Sequence, residues 1–334
     1  MKNPVNSPCV VCGAGRSREL HALHYPDEGY PGLFVMRECD GCGLLFNSPR
    51  LSDAQIEQLY DGSYYVFRES ERQALRRAEQ LAARTIGVAA QFTDARCLLE
   101  IGCAKGYLLA LLKARGWDVR GVELSGTAAD FARERFGLPV HAGTLQSWLR
   151  CAEFAPSPLL LSTDVIEHVT DPLAFVQAMH HATAARGWLV IGTPNADSDH
   201  RLALGAQWLG FNPFHIFLFN RANLGRLLQR AGFDVVQAYT YTNGDPPAAP
   251  TQIGLRPLLR GALRGSGLLG VARRVRDGTV ALLQPRVGEG MLKPRFDAVG
   301  EDPLHGYLRS DDARSERRSA CRGDNLVMIA RRRA

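Results

Sequence analysis

The sequence predicts an α/β fold: a largely parallel sheet covered by helices on both faces, with a small metal-bound ribbon ahead of it. Three observations carry this expectation. Strand-like and helix-like stretches alternate through the middle of the chain, the pattern of a parallel sheet whose crossovers are helices. A buried strand, Cys97 to Ile101, enters a glycine turn (Gly102 to Gly106), then a helix with Leu108, Leu109, Leu111 and Leu112 on its apolar face, then a second strand ending in Glu123. Near the N-terminus stand two Cys-x2-Cys pairs, Cys9 with Cys12 and Cys39 with Cys42.

The chain has 334 residues, enough for more than one domain, and 46% hydrophobic with 22% charged residues suits a globular protein. It has no run of 18 apolar residues, and the start Met1-Lys2-Asn3-Pro4 is polar, so a cytoplasmic protein is expected. The net charge of +6 is uneven. From Asp245 onward 17 Lys plus Arg face 10 Asp plus Glu, leaving 23 against 24 for the first 244 residues. A uniformly basic nucleic-acid-binding body is therefore not indicated.

The elements follow in order. A two-residue gap lets both thiolates of each cysteine pair face one ion, and Gly13 and Gly43 permit the tight turns. The four thiolates imply structural zinc with no open position, standing apart from any chemistry. Residues 1–48 are the expected ribbon. The other cysteines, Cys97, Cys103, Cys151 and Cys321, are scattered, three of them in or beside strands, so reduced thiols are expected rather than disulfides. Ser52 reads as an N-cap with Ile56 and Leu59 behind it, and a charged helix from about Glu69 to Ala90 follows. Residues 49–93 form a helical linker and lid. The alternating core, 94–242, has strands near 97–101, 118–123, 138–141, 158–163, 187–192 and 233–241.

Within the core the glycine turn is the chemical signal. Gly102 and Gly106 allow a sharp turn and a close approach of backbone to ligand. Glu123, at the carboxyl end of the next strand, can accept from both hydroxyls of a ribose. Ala104 and Tyr107 replace the second and third glycines of a dinucleotide fingerprint, which disfavours NAD.

The remaining acid-x-Gly-x-x-x-Gly, Glu100 to Gly106, resembles motif I of the class I S-adenosylmethionine-dependent methyltransferases. Later text extends the resemblance. Leu159 to Pro172 is similar to the fourth strand, Glu-His pair and Asp-Pro of the ubiquinone-biosynthesis O-methyltransferase-like branch, and Arg186 to Asn195 to its fifth strand. Phe211-Asn212-Pro213-Phe214-His215 and Leu227 to Phe233 complete the match. The resemblance implies a Rossmann-like seven-stranded sheet, its last strand, near 325–331, antiparallel within residues 321–334. It also implies S-adenosylmethionine held by Glu100, Gly102, Ala104, Gly106, Glu123, Leu124, Thr144, Leu145, Thr163 and Asp164. The family usually has glycine where Ala104 stands, making this loop stiffer. The cysteine segment resembles the zinc-binding segment ahead of many methyltransferases that act on sugars or natural products. In such proteins a tyrosine-rich stretch closes over cofactor and acceptor, which points to Tyr64 and Tyr65.

For a hydroxyl acceptor, methyl transfer benefits from a base, and the candidates are His168 and His215. Phe211, Phe214, Phe217 and Phe219 near His215 suggest an aromatic acceptor wall. The acceptor class is a small molecule, a sugar or other secondary metabolite, free, nucleotide-linked or lipid-linked; a carbon acceptor is the lesser option. Between Asn243 and Ala320 the expected insertion has a leucine stripe (Leu255, Leu258, Leu259, Leu263) beside arginines 256, 260 and 264. It reads as a basic helical cap over the acceptor cleft, with peripheral membrane contact through 250–285 as the alternative. A zinc ribbon joined to a methyltransferase also suggests an RNA methyltransferase that binds through the ribbon, but the base-amine enzymes resemble one another in carrying Asn-Pro-Pro-Tyr or Asp-Pro-Pro-Tyr where Asp164-Val165-Ile166-Glu167 stands. A noncatalytic binding scaffold is the other alternative, against which the intact glycines, Glu123 and His168 speak.

Overall fold

The computed structural model describes residues 8–25, 32–57, 69–242 and 322–333. Tyr64, Tyr65, Cys321 and the insertion expected over 243–320 lie outside the described residues.

The ribbon is built from β1 (Ser17–Tyr25), β2 (Gly32–Cys39) and β3 (Leu45–Ser48), antiparallel neighbours in that order. A short helix, α1 (Asp53–Glu57), follows, and the Ser52 hydroxyl accepts from the Gln55 N–H while Gln55 Oε1 answers the Ser52 N–H at 3.0 Å. Helix α2 (Glu71–Arg84) opens on a second such box, Ser70 with Gln73. Where the sequence suggested one helix to Ala90, the chain turns at Thr85 into α3 (Ile86–Ala89). The Thr85 Oγ1 hydroxyl bonds back to the Leu81 carbonyl at 2.6 Å, so a β-branched residue breaks the helix there.

The core then runs β4 (Cys97–Ile101), α4 (Tyr107–Lys113), β5 (Asp118–Glu123), α5 (Gly126–Phe136), β6 (Val140–Ala142), α6 (Leu145–Trp148), β7 (Ser157–Thr163), α7 (Pro172–Ala182) and β8 (Thr183–Pro194). After α8 (Asp199–Leu204) come β9 (Phe217–Leu218), α9 (Arg221–Arg230), β10 (Phe233–Tyr241) and β11 (Asn325–Arg332). The main sheet is ordered β10-β11-β8-β7-β4-β5-β6. Neighbours from β8 to β6 are parallel, while β11 is antiparallel to both β8 and β10. The strand direction of travel reverses at β4, where the chain moves first toward β5 and later toward β7, and such a switch point opens a crevice at the carboxyl ends of the strands.

Alternation along β4 shows how the sheet is covered. Leu98 joins the core beneath α2, α4 and α5, whereas Leu99 and Ile101 face the core beneath α7 and α9. Cys9, Val11, Cys39 and Leu44 of the ribbon belong to that second core. The ribbon is also continuous with the body through β9, whose Leu218 and Phe217 pair with Leu45 and Phe46 of β3. Phe34, Met36 and Leu45 of the ribbon, with Trp208, Phe211 and Leu218, form a third cluster between them. Full burial of each such side chain contributes about 1.5–3 kcal/mol, so this contact rivals a domain core in kind. Among the described residues no helix is long and apolar enough to cross a membrane.

Candidate active site and metal centre

At the switch point lies a cavity of about 570 Å³. It gathers all ten described residues that the sequence assigned to the cofactor: Glu100, Gly102, Ala104, Gly106, Glu123, Leu124, Thr144, Leu145, Thr163 and Asp164. His168 lines it as well, and His215 does not. Asp53 of α1 and Arg77 of α2 form part of the opposite wall, which sequence reading missed because neither carries a motif. Thr170 reaches across to Asp53, donating its hydroxyl to Oδ1 at 2.6 Å and tying α1 to the rim.

The turn after β4 is shaped for close approach. Gly102 has φ +79°, and a Cβ there would lie 2.4 Å from Val165 Cγ2; Gly106 has φ +74° and would meet Leu138 Cδ1 at 2.7 Å. Ala104, a non-glycine, also sits in the left-handed region at φ +48°. Its N–H donates to Glu123 Oε2 at 2.8 Å, while Ser125 N–H donates to Oε1 at 2.8 Å. Those bonds fix the carboxylate, only 2% exposed, and still leave a lone pair on each oxygen for a ribose hydroxyl. Asp164, at the end of β7, is another left-handed residue (φ +56°), placing backbone strain on both sides of the crevice.

Glu100 tests the fit of the cofactor. It is 5% exposed, and its Oε2 has no hydrogen-bond partner among the described residues. Burial, and secondly the Glu123 carboxylate, push its pKa up to about 8. A buried, orphaned carboxylate beside a glycine turn suits the cationic amino group of S-adenosylmethionine, as Glu123 suits its ribose.

The second chemical feature is a histidine pair. His168 ends a single 3-10 turn, Ile166–His168, after β7. Its Nδ1 lies 2.9 Å from the Phe214 carbonyl, which can only accept, so Nδ1 carries the proton and Nε2 the lone pair. The ring of His215 stands against it edge to face, centroids 4.9 Å apart, with its own Nδ1 given to the Gly210 carbonyl at 2.9 Å. Burial pushes the His168 pKa down to about 4; burial and then His168 push His215 down to about 3. Both rings are therefore neutral at neutral pH. Glu167 lies behind them, fully buried; its Oε2 accepts from Thr193 Oγ1 at 2.9 Å, and its unpartnered Oε1 is 3.9 Å from His168 Nε2. Glu167 does not cap the following helix; Asp171 does, accepting from Ala174 N–H at 2.9 Å.

The aromatic stretch departs from expectation. Phe211, Phe217 and Phe219 are buried in the packing clusters and none lines the cavity, because each finds a partner surface in the ribbon or under α9. They pack the loop around His215.

In the ribbon, Sγ of Cys9 and Cys42 are 3.6 Å apart and those of Cys12 and Cys39 3.5 Å apart, with all four within 4.8 Å of one another. Zinc–sulfur bonds of about 2.3 Å at tetrahedral angles require sulfurs about 3.8 Å apart, so this group fits a structural zinc ion. The cysteine cluster is not a detached module, since Arg230 of α9 donates to the Val10 and Val11 carbonyls inside the first knuckle.

A seven-stranded sheet of this order, a glycine turn at its switch point and an acid on the next strand together define a nucleotide-cofactor α/β protein. The chain belongs to the methyltransferase-domain family, which matches residues 70–238, and it is a class I S-adenosylmethionine-dependent methyltransferase. A ubiquinone biosynthesis O-methyltransferase of Cereibacter sphaeroides is 29% identical over 172 residues, covering 47% of this chain and 69% of that one. A probable S-adenosylmethionine-dependent methyltransferase of Mycolicibacterium smegmatis is 27% identical over 189 residues, 56% of this chain and 66% of its own. For other curated relatives the share falls to about half, 51% and 49%. A solved methyltransferase structure from Archaeoglobus fulgidus aligns with 80% of this chain and 99% of its own at 15% identity and a TM-score of 0.48.

Proposed function

We propose that the protein transfers a methyl group to a hydroxyl of a small-molecule acceptor, with His168 as the general base. The observation that carries this is the tautomer of His168: with Nδ1–H spent on the Phe214 carbonyl, the free lone pair is on Nε2 of a ring that lines the cavity. Support for a hydroxyl acceptor comes from the relatives named as O-methyltransferases.

When bound, S-adenosylmethionine supplies an electrophilic methyl on a sulfonium. The chain's residues do the rest. Glu100, Gly102, Gly106 and Glu123 hold and orient the donor, and the α1 and α2 wall with Asp53 and Arg77 narrows the crevice against water. His168 Nε2 would take up the proton of the acceptor hydroxyl as that oxygen is methylated. Glu167 Oε1 lies 3.9 Å from that same Nε2, and burial, then Asp164, hold its carboxyl well above the usual range, so it meets the ring as a polar neighbour rather than as a counter-charge. His215 packs against His168 and keeps its ring from turning.

The test is a panel of hydroxylated small molecules assayed with methyl-labelled donor. Once an acceptor is found, His168→Ala should lower kcat by roughly 10²–10⁴-fold, the usual worth of a general base, with donor affinity unchanged. Retained turnover in that variant would remove His168 from the role.

A further inference from the structure

We propose that Asn47, on ribbon strand β3, is a positioning residue for His168. The two side chains share no contact; both grip the same loop. The Asn47 side-chain amide Nδ2 lies 3.0 Å from the Asn212 carbonyl, 3.0 Å from that of Pro213 and 2.9 Å from that of His215. Its backbone N–H donates to the Ile216 carbonyl at 3.0 Å. The one carbonyl in this run that Asn47 leaves is Phe214's, and that carbonyl accepts from the Ile216 N–H at 3.1 Å and from His168 Nδ1 at 2.9 Å.

The arrangement has a physical logic. Three carbonyls converging on one buried point repel one another unless a donor sits between them, and Asn47, 1% exposed, supplies two N–H groups there, one of them shared. Holding the oxygens of 212, 213 and 215 inward fixes the peptide planes that bracket the Phe214–His215 peptide, itself held by the His215 N–H on Asn212 Oδ1 at 2.9 Å, and so helps aim the Phe214 carbonyl at His168. An imidazole adopts the tautomer its hydrogen bonds select, so the direction of that carbonyl decides which nitrogen carries the lone pair. Asn47 itself lines no part of the cofactor cavity, so it acts on the base and not on the donor. The ribbon thereby contributes to the chemistry through a side chain 165 residues distant in sequence from the nearest of its loop partners.

This inference rests on His168 being the base, and the experiment separates the two. Histidine-selective 15N labelling of the full chain, with His168 assigned by its loss in His168→Gln, reads the tautomer directly from long-range 1H–15N correlations. Wild type should show Nδ1–H at His168. In Asn47→Ala, and in Asn47→Ser, which keeps a single donor, Nδ1–H should cease to be the dominant tautomer, while the Kd for S-adenosylhomocysteine stays as in wild type. Persistence of Nδ1–H in either folded variant overturns the proposal, since Asn47 would then be only structural. Failure of both variants to fold, or a lost affinity for S-adenosylhomocysteine, overturns it too. If instead the tautomer changes but His168→Ala keeps its turnover, the positioning stands and the assignment of the base falls.

Discussion

Ala104 and Glu123 are joined by a 2.8 Å hydrogen bond from the alanine N–H to the glutamate Oε2, so a residue held in the left-handed region is anchored by the carboxylate we propose for the ribose. The strain of an L-residue there is roughly 1–2 kcal/mol, and the extra backbone entropy of glycine costs roughly 0.5–1 kcal/mol. Ala104→Gly should therefore raise Tm slightly. Glu123→Ala should weaken S-adenosylhomocysteine binding by roughly 1.5–3 kcal/mol, the worth of a charged hydrogen-bond partner. Calorimetry on both variants checks the pair, and unchanged affinity in Glu123→Ala would show that the carboxylate serves the turn alone.

Glu100 gives a prediction in pH. Its folded pKa, about 8, lies above the ordinary value of 4.5, so the folded state holds a proton that the unfolded chain has lost. Its contribution to stability is complete below about pH 4.5 and is lost as pH rises through about 8. A cation bound against it reverses the preference. S-adenosylmethionine binding at pH 7 should thus release protons, measured by calorimetry in buffers of different ionisation enthalpy. Glu100→Gln should bind without that release; equal proton release in the variant would assign it to another group.

How much was legible in the sequence depended on how local each feature is. The glycine turn, Glu123 and the cysteine pairs each lie within a few residues whose spacing is the chemistry, and the strands follow from apolar runs. The good helix formers end at Arg84, Thr85-Ile86-Gly87-Val88 are weaker ones, and the Thr85 hydroxyl bonding back to Leu81 stands at the break. Strand β9 is two residues long, too short for any period to show, yet it joins the ribbon to the body. The four phenylalanines looked like an acceptor wall because composition reports hydrophobicity and not which surface receives it. Asn47 falls in the Asn47-Ser48-Pro49-Arg50 stretch that follows the cysteine segment, yet nothing local marks its role, because its partners are brought to it by the tertiary fold.

Zinc removal gives the last prediction. The ribbon sheet is small, and its strands are held at one end by the four thiolates and at the other by pairing of β3 with β9. Metal should supply folding energy for the first anchor, since a segment of this size buries little apolar surface of its own. Metal analysis of protein purified without chelator should give one zinc per chain. Stripping it, or replacing Cys39 by serine, should lower Tm and loosen the second anchor, because Phe217 and Leu218 pair with a strand that follows directly from the second knuckle. Hydrogen exchange at Phe217 and Leu218 should accelerate, while amides of Leu99 and Ile101, in the middle of the main sheet, keep their protection. Protein isolated free of metal with both sets equally protected would show that the four cysteines fold the ribbon as thiols and need no ion.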